Sequence, residues 1–409
     1  VTELPIIMSD RSRCADSEKC MRLRYWRYEH AGRGVQKAGE WLDPLMGTAV
    51  HEGIEDFLTG MGVNHSAPIA LEVMHAARRA GPITVFRPNA DFEADWTEAL
   101  GMVELLVRGW IAARGAAILR DYEVVATERE FHVDFPIGGR VVRFLCRPDI
   151  LSRRRADGNL FIMNLKTASR VDQKWREKWR YDMQTFTEML AVEAELGEAV
   201  SGTIMAGLVK GSRKDYPMGS GNYHWESPLL WPWKREGGSI NADEWYPRYE
   251  WSCVGAHKMG NGKQCPGGKQ HKLSGVHKAN AALEYPGGPA AWITFLVEND
   301  MEFLENQFVE LTPIMRSPYE MEQWKNQVLH RELLVREHRD LITTVRADDP
   351  DGADDLLNKW FPQSTSDGNC IWPSNCQFKD VCWGTVDPDE PDSGFVARDA
   401  NHPAEFGEE

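Results

Sequence analysis

Asp149, Asn164 and Lys166 are the residues on which a reaction can be built. They fall in Arg147–Lys166, which reads as two short strands joined by a polar turn. Ile150 and Leu151 close the first strand. Residues 153–159 make the turn, punctuated by Asp157-Gly158, and Leu160 to Leu165 is an apolar run typical of a buried strand. Asn164 and Lys166 stand two apart, so on a strand they share a face. Asp149, at the end of the neighbouring strand, is placed to meet them. A carboxylate, a polar oxygen and an ammonium at one sheet edge can hold a divalent metal and an attacking water. Phosphodiester hydrolysis needs that set: a metal to polarise the phosphate, a positioned water, and a cation for the developing charge. Hard oxygen ligands suit Mg²⁺ or Mn²⁺.

Pro148-Asp149 followed by Lys166 resembles the signature of the PD-(D/E)XK nuclease superfamily. Gly47, Thr48, Ala49, Val50 and His51 are similar to the Gly-x-x-x-His helix of its RecB-like branch. Gln184 falls where that branch's Gln-x-x-x-Tyr motif begins. The resemblance implies a restriction-endonuclease-like α/β core, a central mixed sheet flanked by helices. It implies that His51, Asp149, residue 164 and the Leu165 carbonyl hold the metal. Asp149, Asn164, Lys166 and Gln184 then form the catalytic set, with Lys166 orienting the water or stabilising the transition state. Two positions depart from the motifs: 164 is Asn where the family has an acid, and 188 is Glu rather than Tyr.

Asn164 leaves two functions open. One is a metal-dependent deoxyribonuclease, an exonuclease on single strands or duplex ends. It would serve recombination, repair, phage replication or defence, with a recombination or helicase partner. The other is a DNA-binding scaffold that keeps the fold without the chemistry. A neutral amide gives Mg²⁺ one charge less, so the sequence predicts that Asn164→Asp gains cleavage.

The chain has eight cysteines. Its first residues lack a basic n-region and a long apolar core, so a cytoplasmic location is expected, in the host cell if the protein is phage-encoded. In that compartment cysteines point to metal or cluster ligation before disulfides. Cys20, with Cys370, Cys376 and Cys382 near the other end, resembles the iron–sulfur staple of AddB-type helicase-nuclease subunits and CRISPR-associated adaptation exonucleases. That likeness implies a [4Fe–4S] cluster. Its first gap departs, with five residues where two are frequent. Four thiolates also suit tetrahedral zinc. Cys14 is a spare that could replace Cys20. Cys253, His257, Cys265 and His271 are a candidate set for a second zinc.

Arg170, Lys174, Trp175, Lys178 and Trp179 follow Lys166 closely and are candidate DNA contacts. Lys174 and Lys178 share a helix face, as do Trp175 and Trp179. Cations contact phosphates and aromatics stack on unpaired bases. The same pattern also fits tryptophans packed inward beneath solvated lysines. Arg11, Arg13, Arg22, Arg24 and Arg27 extend the basic series.

The elements that must position these residues follow in order. Helices are expected over 44–60, 66–80 and 92–118. A hairpin of 122–135 and 140–150 turns at 136–139, and the 160–166 strand follows. A long helix over 171–196 leads to a buried strand at 202–209. This gives a nuclease core over 1–209. A Trp-, Gly- and His-rich insertion covers 210–290. A region with helices at 299–312 and 318–346 and the cysteine-bearing segment covers 291–386. Residues 387–409 are an acidic, loosely draped tail. The net charge of −15 excludes a generally basic nucleic-acid binder but not a local basic channel. No apolar run reaches the roughly 20 residues a membrane span needs.

Overall fold

The computed structural model describes residues 4–84, 92–210, 212–215, 223–226, 288–299, 301–364, 370, 376–402 and 405–406. The expected α/β core is present. Its main sheet has the strand order Phe308–Glu310, Val200–Val209, Leu160–Ala168, Ile150–Arg154, Tyr122–Thr127. Leu160–Ala168 runs parallel to Val200–Val209 and antiparallel to Ile150–Arg154, so the sheet is mixed. A parallel pair needs a crossover, and helix Met183–Leu196 supplies it.

Leu160–Ala168 is buried on both faces, which explains its apolar sequence. Phe161, Met163 and Leu165 join the core built with helices Leu42–Leu58, Val63–Ala80 and Phe92–Trp110. Leu160 and Ile162 point the other way and pack with Met189 and Val192 of the crossover helix. The two-residue period therefore turns Asn164 toward that helix.

The expected hairpin is formed by Phe131–Ile137 and Arg140–Cys146. Its turn residues Gly138 and Gly139 have φ of 56° and 73°, a conformation that glycine adopts without strain. Arg140–Cys146 also pairs with Ile6–Asp10, making a second sheet. Tyr122–Thr127 belongs instead to the edge of the main sheet. The helix expected over 171–196 is two, Gln173–Lys178 and Met183–Leu196. Asp182 starts the second by accepting from the Gln184 N–H at 2.9 Å. Within 299–312, helix gives way to Phe308–Glu310, which pairs with Val200–Val209. The core sheet thus draws a strand from beyond the insertion. Pro318–Arg346 is helical as expected, opened by a Ser317–Glu320 capping box.

Parts of the described tail are tied to the body of the protein. Phe395–Ala397 pairs with Val35–Lys37, and Glu405 is buried against Arg13 and Arg398. Composition suggested a solvated acidic segment; Asp387, Asp389, Glu390, Asp392 and Asp399 are exposed, while Glu405 meets two buried arginines. Of the insertion, strands Ser212–Asp215 and Tyr223–Glu226 are described. Cys253, His257, Cys265 and His271 lie outside the described residues. Among the described residues, no helix is long and apolar enough to cross a membrane.

Candidate active site

Asp149 sits just ahead of Ile150–Arg154, with 8% of its surface exposed. The Leu165 N–H donates to Asp149 Oδ2 at 2.6 Å and fixes the carboxylate. Lys166 Nζ lies 3.6 Å from the same oxygen. On the other side, His51 Nδ1 from helix Leu42–Leu58 is 3.6 Å from Asp149 Oδ1. Glu128, which follows strand Tyr122–Thr127, brings Oε1 to 3.7 Å from the same imidazole nitrogen. One ligand atom from each of His51, Glu128 and Asp149 lies within 4.8 Å of the other two. One imidazole nitrogen and two carboxylate oxygens at that spacing can share a divalent cation. Burial disfavours the His51 cation, but Asp149 and Glu128 outweigh it, and the imidazole's pKa is raised.

Glu128 belongs to none of the motifs, and it falls inside the strand expected over 122–135, so nothing in the sequence marks it. Its backbone is in the left-handed region at φ 45°, a strained conformation for a non-glycine residue. Its N–H donates to the Asp149 carbonyl at 3.2 Å, and Arg147 Nε lies 3.0 Å from its Oε2.

Asn164 is fully buried. Its Nδ2 donates to Glu188 Oε2 at 2.6 Å, and its Oδ1 accepts from the Asp149 N–H at 3.4 Å. Gln184, one helical turn before Glu188, donates Nε2 to Glu188 Oε1 at 2.8 Å. Glu188 is only 2% exposed. Burial pushes its carboxyl up to about 7, although Asn164, Lys166 and Gln184 all favour the charged form. The four-residue spacing from Gln184 was the sequence signal for this contact. Leu165 contributes its N–H as described, while its side chain packs into the core.

His51, Glu128, Asp149, Lys166, Gln184 and Glu188 line a cleft of about 550 Å³ that Arg11, Arg147 and His402 also border. The carboxylates Asp10, Glu52, Glu55, Glu128, Asp149 and Glu188 outnumber the permanent cations Arg11, Arg147 and Lys166. Burial raises the Glu52 pKa, and Glu55 and Glu128 add to the rise. A phosphate enters such a cleft only after a cation offsets the negative charge. The residues present therefore fit a divalent metal.

Cys20, Cys370, Cys376 and Cys382 line one cavity, bordered by Lys19, Arg22 and Lys379. Among the described residues, His51, Glu128 and Asp149 form the compact metal-holding group, and these cysteines are not part of it. Cys14 is elsewhere, buried, with its Sγ donating to Glu332 Oε1 at 3.7 Å. It is not a substitute for Cys20.

Trp175 and Trp179 are buried and pack against Met205 and Ile314, so they are not free to stack on bases. Gly207 makes room for Trp175: a Cβ there would meet its ring at 3.0 Å. Arg170, Lys174 and Lys178 are exposed, and the aromatic exposed nearby is Tyr181. Of the arginine series, Arg13, Arg22 and Arg24 are buried and cannot line a channel. Arg11 reaches the cleft paired with Asp182 at 2.9 Å.

A family model described as the PD-(D/E)XK nuclease superfamily matches residues 12–383. No curated protein matches the chain. Among solved structures, the crystal structure of SSO0001 is 14% identical, with 46% of this chain and 70% of that chain covered and a TM-score of 0.20. That likeness is too weak to bear on fold or function. The family match spans both the motif residues and the cysteine-bearing segment, and the chain belongs to the PD-(D/E)XK nuclease superfamily.

Proposed function

We propose that the chain is a metal-dependent deoxyribonuclease whose site is His51, Glu128, Asp149 and Lys166. The observation that carries this reading is the convergence of His51, Glu128 and Asp149 within 4.8 Å, with Lys166 Nζ 3.6 Å from Asp149. His51, Glu128 and Asp149 would hold Mg²⁺ or Mn²⁺. The bound ion supplies Lewis-acid polarisation of the phosphate and a more acidic water. The chain's own groups do the rest. The Leu165 N–H keeps the Asp149 carboxylate aimed at the cleft. Lys166 places a positive charge beside it, where it can orient the attacking water and offset charge on the phosphate. Arg170, Lys174 and Lys178, with exposed Tyr181, offer contacts to the DNA strand beyond the cleft. Exonucleolytic action on ends or single strands is carried over from the RecB-like resemblance, as is a recombination or helicase partner.

The direct test uses labelled single- and double-stranded DNA with Mg²⁺ or Mn²⁺. Cleavage is expected and should stop on chelation with EDTA. No cleavage across substrates and metals would leave the DNA-binding scaffold as the better reading.

We also propose that Cys20, Cys370, Cys376 and Cys382 hold a [4Fe–4S] cluster joining the two ends of the nuclease unit. Its support is their common cavity and the ring of Lys19, Arg22 and Lys379, which offsets the negative charge of a thiolate-ligated cluster. An anaerobic preparation is expected to be brown, with iron and sulfide bound, and Cys376→Ala should lose the colour. A colourless preparation with stoichiometric zinc would replace the cluster with a zinc site.

A further inference from the structure

The two positions at which this chain departs from the family motifs touch each other. Strand periodicity turns Asn164 toward helix Met183–Leu196, and Glu188 lies on the face of that helix that meets it. The contact is a hydrogen bond from Asn164 Nδ2 to Glu188 Oε2 at 2.6 Å. Gln184 Nε2 holds the other oxygen at 2.8 Å, so the carboxylate's two hydrogen bonds come from amides. A carboxylate buried this deeply is costly, and neighbouring Met189 and Val192 show that an apolar side chain would pack there. Packing does not explain an acid at this position. Its place does: it lines the cleft immediately behind Asn164, within the field of Lys166.

We propose that Glu188 supplies from the helix the negative charge that strand position 164 lacks, so that Asn164 and Glu188 together form the site's second acid. Glu188 is a positioning residue. Its bond to Nδ2 fixes the amide with Oδ1 turned toward Asp149, and it polarises that oxygen. Its charge adds to the field that attracts a cation to His51, Glu128 and Asp149. The inference rests on the nuclease reading above for the identity of the site. It also reverses the expectation for Asn164→Asp. That change alone sets two carboxylates face to face in place of the Nδ2–Oε2 hydrogen bond, and no gain in cleavage is expected.

The test is a swap, read by Mn²⁺ titration calorimetry and by DNA cleavage on the full chain. Glu188→Gln keeps an acceptor for Asn164 but removes the charge. It is expected to weaken Mn²⁺ binding by about 10- to 100-fold, as for other partners behind a metal ligand. Asn164→Asp combined with Glu188→Gln returns the charge to the strand with an amide behind it, and should recover most of that loss. Wild-type Mn²⁺ affinity in Glu188→Gln, or a double variant no better than it, overturns the proposal. So does a wild-type chain that binds no Mn²⁺. If Glu188→Gln does not fold, the double variant decides: affinity near wild type supports the proposal, and a loss above about tenfold overturns it. If the Mn²⁺ pattern holds while no variant cuts DNA, the paired acid stands and the nuclease reading falls.

Discussion

Asp149→Asn is expected to lower kcat/KM for DNA cleavage by about a thousandfold or more, roughly 4 kcal/mol of transition-state stabilisation. The fold should survive. An Asn at 149 can still accept from the Leu165 N–H, which Asp149 holds at 2.6 Å. What it cannot do is present a charged oxygen to a cation beside His51 and Glu128, or oppose Lys166 at 3.6 Å. Lys166→Ala is expected to lose a similar factor for a different reason, since it leaves the ligands in place and removes the cation. The two losses should separate on metal titration: excess Mn²⁺ partly restores Asp149→Asn and does nothing for Lys166→Ala. They should not add, because residues acting on one reacting group fail as a unit. Retention of more than a tenth of wild-type activity by Asp149→Asn would remove Asp149 from the site.

Strand geometry put Asp149 and Lys166 at one sheet edge, while His51 and Gln184 entered only through the resemblance to the RecB-like motifs. Residues two apart on a strand, or four apart on a helix, face the same way. Glu128 was not legible because its role depends on where an edge strand ends in the folded sheet and on a left-handed backbone that no spacing encodes. Glu188 was visible only as a mismatch, and its meaning appeared when the crossover helix laid it on Asn164. Trp175 and Trp179 show the opposite error. A Lys/Trp helix reads equally as a DNA platform or as a buried face, and the bare Gly207 beneath Trp175 decides for burial. The tail misled for a similar reason. Its acidity was plain, while Arg13, which with nearby Arg398 receives Glu405, lies at the other end of the sequence.

Those arginines belong to a buried charge network with its own large consequence. Glu332 of helix Pro318–Arg346 is fully buried and accepts from Arg24 Nη2 at 2.8 Å and Nη1 at 3.3 Å. Arg24 Nε in turn donates to Glu29 at 2.9 Å, and Glu29 also meets Arg13 at 3.7 Å and Arg339 at 3.5 Å. Burial pushes the Glu29 carboxyl up, but these arginines outweigh it and hold it below the usual range. Glu332→Ala removes one side of this arrangement and leaves Arg24 Nη1 and Nη2 buried without their carboxylate, with only Glu29 still held on Nε. The expected cost is about 3–5 kcal/mol of stability, read by chemical denaturation. Replacing both partners, as Arg24→Met with Glu332→Leu, removes the stranded charge and should cost less than the two single changes summed. Cleavage per folded molecule should be kept, because His51, Glu128 and Asp149 stand on the main sheet and helix Leu42–Leu58, outside the network. A Glu332→Ala chain within about 0.5 kcal/mol of wild type would mean that water reaches Arg24 and takes the place of the carboxylate. The network would then not be what fastens helix Arg11–Lys19, and with it the cleft-lining Arg11, to the long helix.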